Sequence, residues 1–514
     1  MADAPRIKNE SIRIGLLVVF LLWLGSHLAV ALWWLIRQSV VWVAGITGYL
    51  VWRLYDGAGP WALVLVVALL ALVLVAWRLA HPGSFRGWVA WPVRAWFRRV
   101  FVYHRDWQPL MVTLKLAARS SGDEMLVPDL LRVRSTSTVD KVRVRMLPGQ
   151  VLADFAKNAD RFAQTFEAID CRVRSVHRRQ AFRWFVFWVK RRLGMVVEPP
   201  KPRPSRALEL WFLIEDPLEE MTPQFAVPER PDLKALTLAL GEDGLTWALR
   251  LLANHVLIIG ATGSGKGSVF WSLIRSLGHG IRTKLVELWL VDPKGGMEFA
   301  AGQPLCARYC YGDDETTDVE RKRAYELTYA KFLEEAVDEL RERQRRLRGI
   351  FRMHRPVPGD PLIVIVIDEI ASLTAYVVDR DAKKRIEAAL NLLLSQGRAV
   401  GVVVIGAGQD ARKEVVAMRG LFPTRIALRL NEAEEPDMVL GSGARDRGAR
   451  CEEIPTDLAG VGYVRVETNP EPVRVRFAYV DDDEIKTMCS LYHPGAKVSE
   501  ASEIAHSEPE GVQV

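Results

Sequence analysis

Cysteine is scarce in this chain: there are five in 514 residues, and only Cys306 and Cys310 stand close together. No second Cys or His pair lies at metal-ligand spacing, which excludes a zinc ribbon or a disulfide-stapled scaffold and points to reduced thiols. No fixed-period repeat is visible, so solenoids and collagen are excluded as well. Nor is hydrophobicity low: 49% of residues are hydrophobic and 25% charged, which excludes a disordered chain. At about 100 to 200 residues per domain, the length predicts two to four units.

What is present is unevenly distributed. The net charge of +7 divides into +2 over residues 1–77, +16 over 78–206 and −11 over 207–514. Ahead of the basic stretch, Ile14 to Ile36 is 23 residues without a charge, long enough to span a hydrocarbon core about 30 Å thick. Gly57 to Trp77 is a second such run, with Pro60 suited to a first helical turn. Ser39 to Trp52 is apolar but only 14 residues long, and reads as interfacial. Ala29-Val-Ala31 resembles a signal-peptidase site, but the apolar run continues past it. Arg6, Lys8 and Arg13 precede the first run, and Arg78, Arg86 and Arg94 follow the second. By the positive-inside rule the expectation is a two-helix anchor in a bacterial plasma membrane, multi-pass, with both termini and the rest of the chain cytoplasmic.

Residues 78–110 mix Arg with Trp, Phe and Tyr, a composition that suits anionic lipid or, as the sharper reading, nucleic-acid phosphate. Residues 130–147 alternate as strands. Leu152, Phe155, Ala159, Phe162, Phe166 and Ile169 fall at spacings of three and four, predicting one helix with a core-facing stripe. Further strand-like runs at Cys171 to Val176, Phe182 to Val189 and Leu208 to Ile214 complete a small basic α/β unit, with a stiff break at Pro199 to Pro204.

The chemistry concentrates downstream. After the apolar run His255 to Ile259 comes Gly260-Ala261-Thr262-Gly263-Ser264-Gly265-Lys266-Gly267-Ser268, followed by a helical pattern from Val269. Strand, glycine-rich turn and helix are what a phosphate loop requires: the glycines let backbone N–H groups approach phosphates, the helix N-terminus favours their charge, and Lys266 reaches the β and γ oxygens. One departure is plain. The position after the lysine, where Ser or Thr normally meets Mg²⁺, is Gly267, leaving Ser268, about 100° further round the helix, or water as the expected ligand.

Three more apolar runs end in polar residues: Leu285 to Val291 at Asp292-Pro293-Lys294, Leu362 to Ile367 at Asp368-Glu369, and Val400 to Ile405 at Gly408-Gln409-Asp410. In an open parallel sheet all four strand ends share one edge, where ligands bind. Asp368 is expected to hold Mg²⁺, Glu369 to orient and deprotonate water, and Gln409 to contact the γ-phosphate of ATP. Arg425 is expected to reach a neighbouring subunit's site, with Arg429 as runner-up and Arg398 a weaker candidate; an ordinary salt bridge is the alternative for each.

The series GATGSGKGS, VDPKGG, IVIDEIASL, SQGRAVGVVVIGAGQD and FPTRIALRL resembles the motor domain of the FtsK/SpoIIIE family of double-stranded DNA translocases. Within that family the Gly-Lys-Gly-Ser variant, the apolar N-terminus and FVYHRDWQPLM resemble conjugative transfer proteins of the TraB/TraSA type. The resemblance implies an α/β chain: a transmembrane helical hairpin over 1–80, a basic segment and small α/β domain over 81–215, and a RecA-like P-loop ATPase motor over 216–480. It implies ATP and Mg²⁺ as cofactors, and a homo-hexamer moving double-stranded DNA in conjugative transfer. Only 38 residues follow Arg476, too few for a DNA-reading winged helix, so sequence-specific loading is expected to be either absent or supplied by a separate partner protein. Residues 481–514 read as an acidic, unpatterned tail, expected to be disordered, and the Arg341 to Arg348 cluster within the helix Val319 to Leu347 reads as solvated rather than pore-lining. The alternatives are a chromosome-partitioning translocase, a type VII secretion coupling ATPase, and a membrane tether that binds nucleotide without turnover.

Overall fold

The computed structural model describes residues 49, 53, 56–57, 59–119, 125–178, 203–312, 317–411 and 418–494. The chain forms two compact units, residues 1–92 and 93–514.

In the first unit, helix α1 (Pro60–Ala80) begins with its proline in the first turn, as expected. The multi-pass membrane expectation is overturned. An uncharged run is necessary for a span but not sufficient, and among the described residues no helix is long and apolar enough to cross a membrane. The first expected span, 14–36, and the interfacial stretch, 39–52, lie outside the described residues apart from Tyr49.

The second unit contains helix α2 (His104–Thr113) and a four-stranded antiparallel sheet. Its strands β1 (Asp129–Ser135), β2 (Val139–Arg145), β3 (Asp170–Arg178) and β4 (Arg203–Leu213) lie in the order β1-β2-β4-β3. Tyr103, Trp107 and Met111 pack with Phe155, Phe162 and Phe166 against Val142, Val144, Leu208 and Phe212. The single helix expected over 152–169 is two, α3 (Leu152–Ala156) and α4 (Ala159–Thr165), because Asn158 leaves the helical region at φ −108°, ψ 11°. Ile169 falls past the second helix and is 58% exposed. The runs at 182–189 and 199–202 lie outside the described residues.

Three cations of this sheet meet acids of the larger domain. Arg172 and Arg174 both pair with Glu242, Lys141 with Asp243, and Arg474 of the larger domain with Asp216. Lys141 and Arg174 also sit over the Trp211 ring, at 3.6 and 3.9 Å from its centroid.

The larger domain is built on a ten-stranded mixed sheet. In chain order its strands are β5 (Leu236–Gly241), β6 (Thr246–Leu249), β7 (Val256–Ile259), β8 (Val286–Asp292), β9 (Arg308–Tyr311), β10 (Leu362–Ile367), β11 (Val402–Gly408), β12 (Thr424–Leu428), β13 (Val461–Val466) and β14 (Asn469–Phe477). Spatially they run β9-β8-β10-β11-β7-β12-β13-β14-β5-β6, the first six parallel and the rest antiparallel. The strand β10 explains why continuous apolar runs mark the centre. Leu362, Val364 and Val366 enter one core with helix α5 (Lys266–Ser276), while Ile363, Ile365 and Ile367 enter another with α6 (Val319–Leu347) and α7 (Arg380–Val400). Both faces are covered, so no polar position is available within the strand.

Two expectations about polar segments need correction. Arg343 in α6 is 2% exposed rather than solvated, donating to the carbonyls of Pro361, Val400 and Gly401 and to Glu339. The expected acidic tail begins instead with helix α8 (Asp482–Tyr492), whose Asp481 side chain caps the Glu484 amide and whose Ile485 and Met488 are buried. Residues 495–514 lie outside the described residues.

Candidate active site

The fully buried strand β7 ends at Ile259, and the chain turns through Gly260 to Gly265 before α5 begins at Lys266. Gly265 adopts φ 90°, and a Cβ on it would stand 2.2 Å from the Gly460 amide nitrogen, so both conformation and space demand glycine. The Gly460 amide in turn donates to the Ser264 carbonyl at 2.9 Å, tying the turn to the strands beyond β12. No side chain caps α5, so its first amides face the turn as a site for an anion. Lys266 folds back over the loop, its Nζ donating to the Gly260 carbonyl at 2.8 Å. Burial, then Lys294, holds its ammonium below the usual lysine range, against the pull of Glu369, Asp368 and Glu298.

Asp368 and Glu369 follow β10 directly and are only 6% and 4% exposed. Burial, reinforced by Asp292 and Glu369, raises the Asp368 carboxyl above its usual range. Their counter-charge is Lys294, three residues past the end of β8's last apolar position: its Nζ lies 3.0 Å from Glu369 Oε2 and 3.6 Å from Asp368 Oδ2. Burial opposes charge on Lys294, but Glu369 and Asp368 outweigh it and lift its ammonium above the usual range. Asp292 is fully buried and organises the loop beyond it, accepting from the amides of Glu298 and Phe299 at 2.9 Å each.

Gln409 follows β11 and accepts from Thr262 Oγ1 at 3.3 Å, and the Gly408 carbonyl accepts from the Gly260 amide at 3.1 Å. The structure thus brings Lys266, Asp368, Glu369 and Gln409 to one edge of the sheet, with the loop 260–268. Ser268 packs toward Gly460, its Oγ 3.6 Å from where a Cβ there would stand. Arg425 is not brought to this edge. It lies early in β12 with Arg419 and Arg465, donating to the Phe422 carbonyl at 3.1 Å, and burial followed by those two cations pulls it down to about 10. Arg429, at the far end of β12, does reach the loop, donating to the Thr262 carbonyl at 2.8 Å. Arg398 lines a separate cavity of about 830 Å³ with Arg250, Arg348 and Arg352, beside the start of β11.

Sequence reasoning missed Lys294 as a charge partner. Its one signal is that it stands in a polar triplet at a strand end, like the other site residues.

The donors fit a nucleotide with Mg²⁺. Among the described residues no group of three His, Cys, Asp or Glu side chains could hold a metal alone. Mg²⁺ needs no such cage when phosphate oxygens and one or two carboxylates share it, and Asp368 is placed beside the loop that would hold those phosphates.

An uncapped helix N-terminus, a lysine and two buried carboxylates at one parallel-sheet edge define a P-loop ATPase. Residues 230–452 match the FtsK/SpoIIIE family, and residues 74–180 match the actinomycete conjugal transfer protein N-terminal domain. The chain therefore carries an FtsK/SpoIIIE-family ATPase domain preceded by a domain of the TraSA type. It is 26% identical to the transfer protein TraSA of Streptomyces ambofaciens over 401 residues, covering 74% of this chain and 86% of that one. It is 29% identical to DNA translocase FtsK 2 of Ralstonia nicotianae over 281 residues, and 27% to DNA translocase SpoIIIE of Bacillus subtilis over 277. Those matches cover 49% and 50% of this chain and about a third, 33% and 32%, of the two translocases. Among solved structures it is similar to the pCW3 conjugation coupling protein TcpA, in monomer form with ATPγS, at TM-score 0.43 and 17% identity over 75% of this chain and 98% of that one. The cytoplasmic domain of the Thermomonospora curvata type VII secretion ATPase EccC is similar at TM-score 0.40 and 25% identity, over 55% and 34%.

Proposed function

We propose that this ATPase is a RecA-like motor that drives double-stranded DNA in conjugative transfer, acting as a ring of six copies. The observation that carries the reading is the convergence of Lys266, Asp368, Glu369 and Gln409, from three separate stretches, on one sheet edge beside Lys294 from a fourth. The sequence relationship to TraSA and to two DNA translocases supports the choice of substrate.

In this reading the α5 amides and Lys266 bind the phosphates of ATP, and Lys266 leaves the Gly260 carbonyl to do so. Asp368 holds Mg²⁺, with Ser268 or another oxygen beside it; the metal would neutralise charge on the transferring phosphoryl group. Glu369, held in place by Lys294, orients water and accepts its proton. Gln409 contacts the γ-phosphate and links the site to Thr262. Arg425, remote from its own loop, is the residue that would enter a neighbour's site; Arg429 serves its own.

DNA contact is expected to be with backbone phosphates, steeply salt-dependent and indifferent to sequence.

The test is displacement of a third strand from a linear duplex by the full chain with ATP. ATP-dependent displacement is the expected result. Failure to displace, with ATPase stimulated by a protein and not by DNA, would assign the motor to protein export instead.

A further inference from the structure

The loop lacks the hydroxyl that its position after Lys266 would ordinarily carry, and the structure has put something else in that space. A Cβ on Gly267 would come within 2.8 Å of Glu298 Oε1, closer than real Cβ contacts come. The volume a Ser or Thr side chain would fill is therefore held by a carboxylate from the loop after β8.

That carboxylate is fixed from two sides. Trp271, one turn further along α5, donates its Nε1–H to Glu298 Oε1 at 3.0 Å. The backbone of Glu298 is pinned by Asp292 Oδ2, at the end of the strand beside β10. Asp368 and Lys266 are both near enough to act on Glu298 electrostatically.

We propose that Glu298 takes the place of the missing hydroxyl, joining Asp368 as the second protein oxygen for the Mg²⁺ that accompanies ATP. The inference rests on the nucleotide-site reading above and deepens it. A carboxylate is a hard oxygen donor, and two carboxylates with phosphate oxygens and water suit Mg²⁺. It differs from a hydroxyl in one measurable respect. It carries charge, so without the metal it repels the phosphates that it helps to hold when the metal is there.

The test is binding of a fluorescent ATP analogue to the full chain, in EDTA and across a Mg²⁺ titration. Glu298→Gln keeps an acceptor for Trp271 and removes the charge. The expected result is a half-saturating Mg²⁺ concentration raised about tenfold, as for loss of a metal-orienting group, with binding in EDTA equal or tighter. Restoring a hydroxyl in Gly267→Ser/Glu298→Ala, which also vacates the space beside residue 267, is expected to bring most of that Mg²⁺ response back. An unchanged Mg²⁺ response in Glu298→Gln overturns the proposal, as does equal weakening with and without Mg²⁺, which makes Glu298 a scaffold only. Failure of the underlying site looks different: wild type and Lys266→Ala would then bind the analogue alike.

Discussion

Lys294 donates to Glu369 at 3.0 Å and lies 3.6 Å from Asp368, so one half-buried ammonium holds two nearly inaccessible carboxylates in register at the end of β10. Removing it leaves like charges facing each other and lets Glu369 move. In Lys294→Met we expect kcat to fall about 100-fold, the usual scale for a misplaced catalytic group, with nucleotide affinity little changed. Steady-state ATPase assays with a parallel binding titration check this; equal loss of affinity and turnover contradicts it.

Lys266 and Glu369 separate binding from chemistry. Lys266→Ala is expected to abolish tight ATP binding, whereas Glu369→Gln retains it and loses about 10² to 10⁴ in turnover, the range for a general base. A filter-binding measurement on both variants distinguishes the roles, and weak binding by Glu369→Gln refutes the assignment.

Gly265→Ala tests the loop itself. The substitution forces a left-handed alanine, costing about 1 to 2 kcal/mol, against the backbone of Gly460. ATP affinity should fall with the fold retained, as read by circular dichroism beside the binding assay; wild-type affinity would show the turn is not the phosphate site.

The small sheet is tied to the motor through Glu242, which is 5% exposed and pairs with Arg172 and Arg174. In Glu242→Gln two half-paired cations are left in a buried joint, a loss of about 3 kcal/mol by comparison with other broken buried pairs. Limited proteolysis should cut between residues 213 and 236 faster than in wild type. An unchanged cleavage rate would mean the joint does not depend on this pair.

His255 sets an acid limit. It is fully buried, accepts from the Val404 amide at Nδ1, 2.9 Å away, and burial and then Arg398 push it down to about 3. Because the unfolded chain takes up this proton near pH 6.5 and the folded chain does not, stability is lost as pH falls from about 6.5 toward 3, by about 1.4 kcal/mol per unit. His255→Asn, whose Oδ1 can accept from Val404, should flatten that slope in urea unfolding between pH 7 and 5; an identical slope would assign acid sensitivity elsewhere.

The parts of this molecule legible in its sequence are those written locally. Six apolar residues in a row before Asp368-Glu369 announce a strand covered on both faces, and the loop at Gly260 announces itself by spacing. Lys294 and Glu298 were illegible because the loop 293–299 has no periodicity, and their meaning lies in what they meet 75 residues later or 31 earlier. Arg343 looked solvated among neighbouring arginines, yet three carbonyls at the foot of β10 and β11 enclose it. Helix α8 was hidden by acid count, although Ile485, Met488, Cys489 and Tyr492 already recur at helical spacing. Arg425 owes its lowered pKa to burial and then to Arg465 and Arg419, forty after and six before it in the chain, a proximity only the fold creates.

The central claim is that ATP is split at the edge of this sheet and that the splitting serves DNA. The rate of ATP hydrolysis with and without linear duplex DNA, for wild type and Glu369→Gln, tests both halves together. Strong stimulation by duplex in wild type, absent in the variant, is the predicted result; a rate indifferent to DNA, or a variant as fast as wild type, would contradict it.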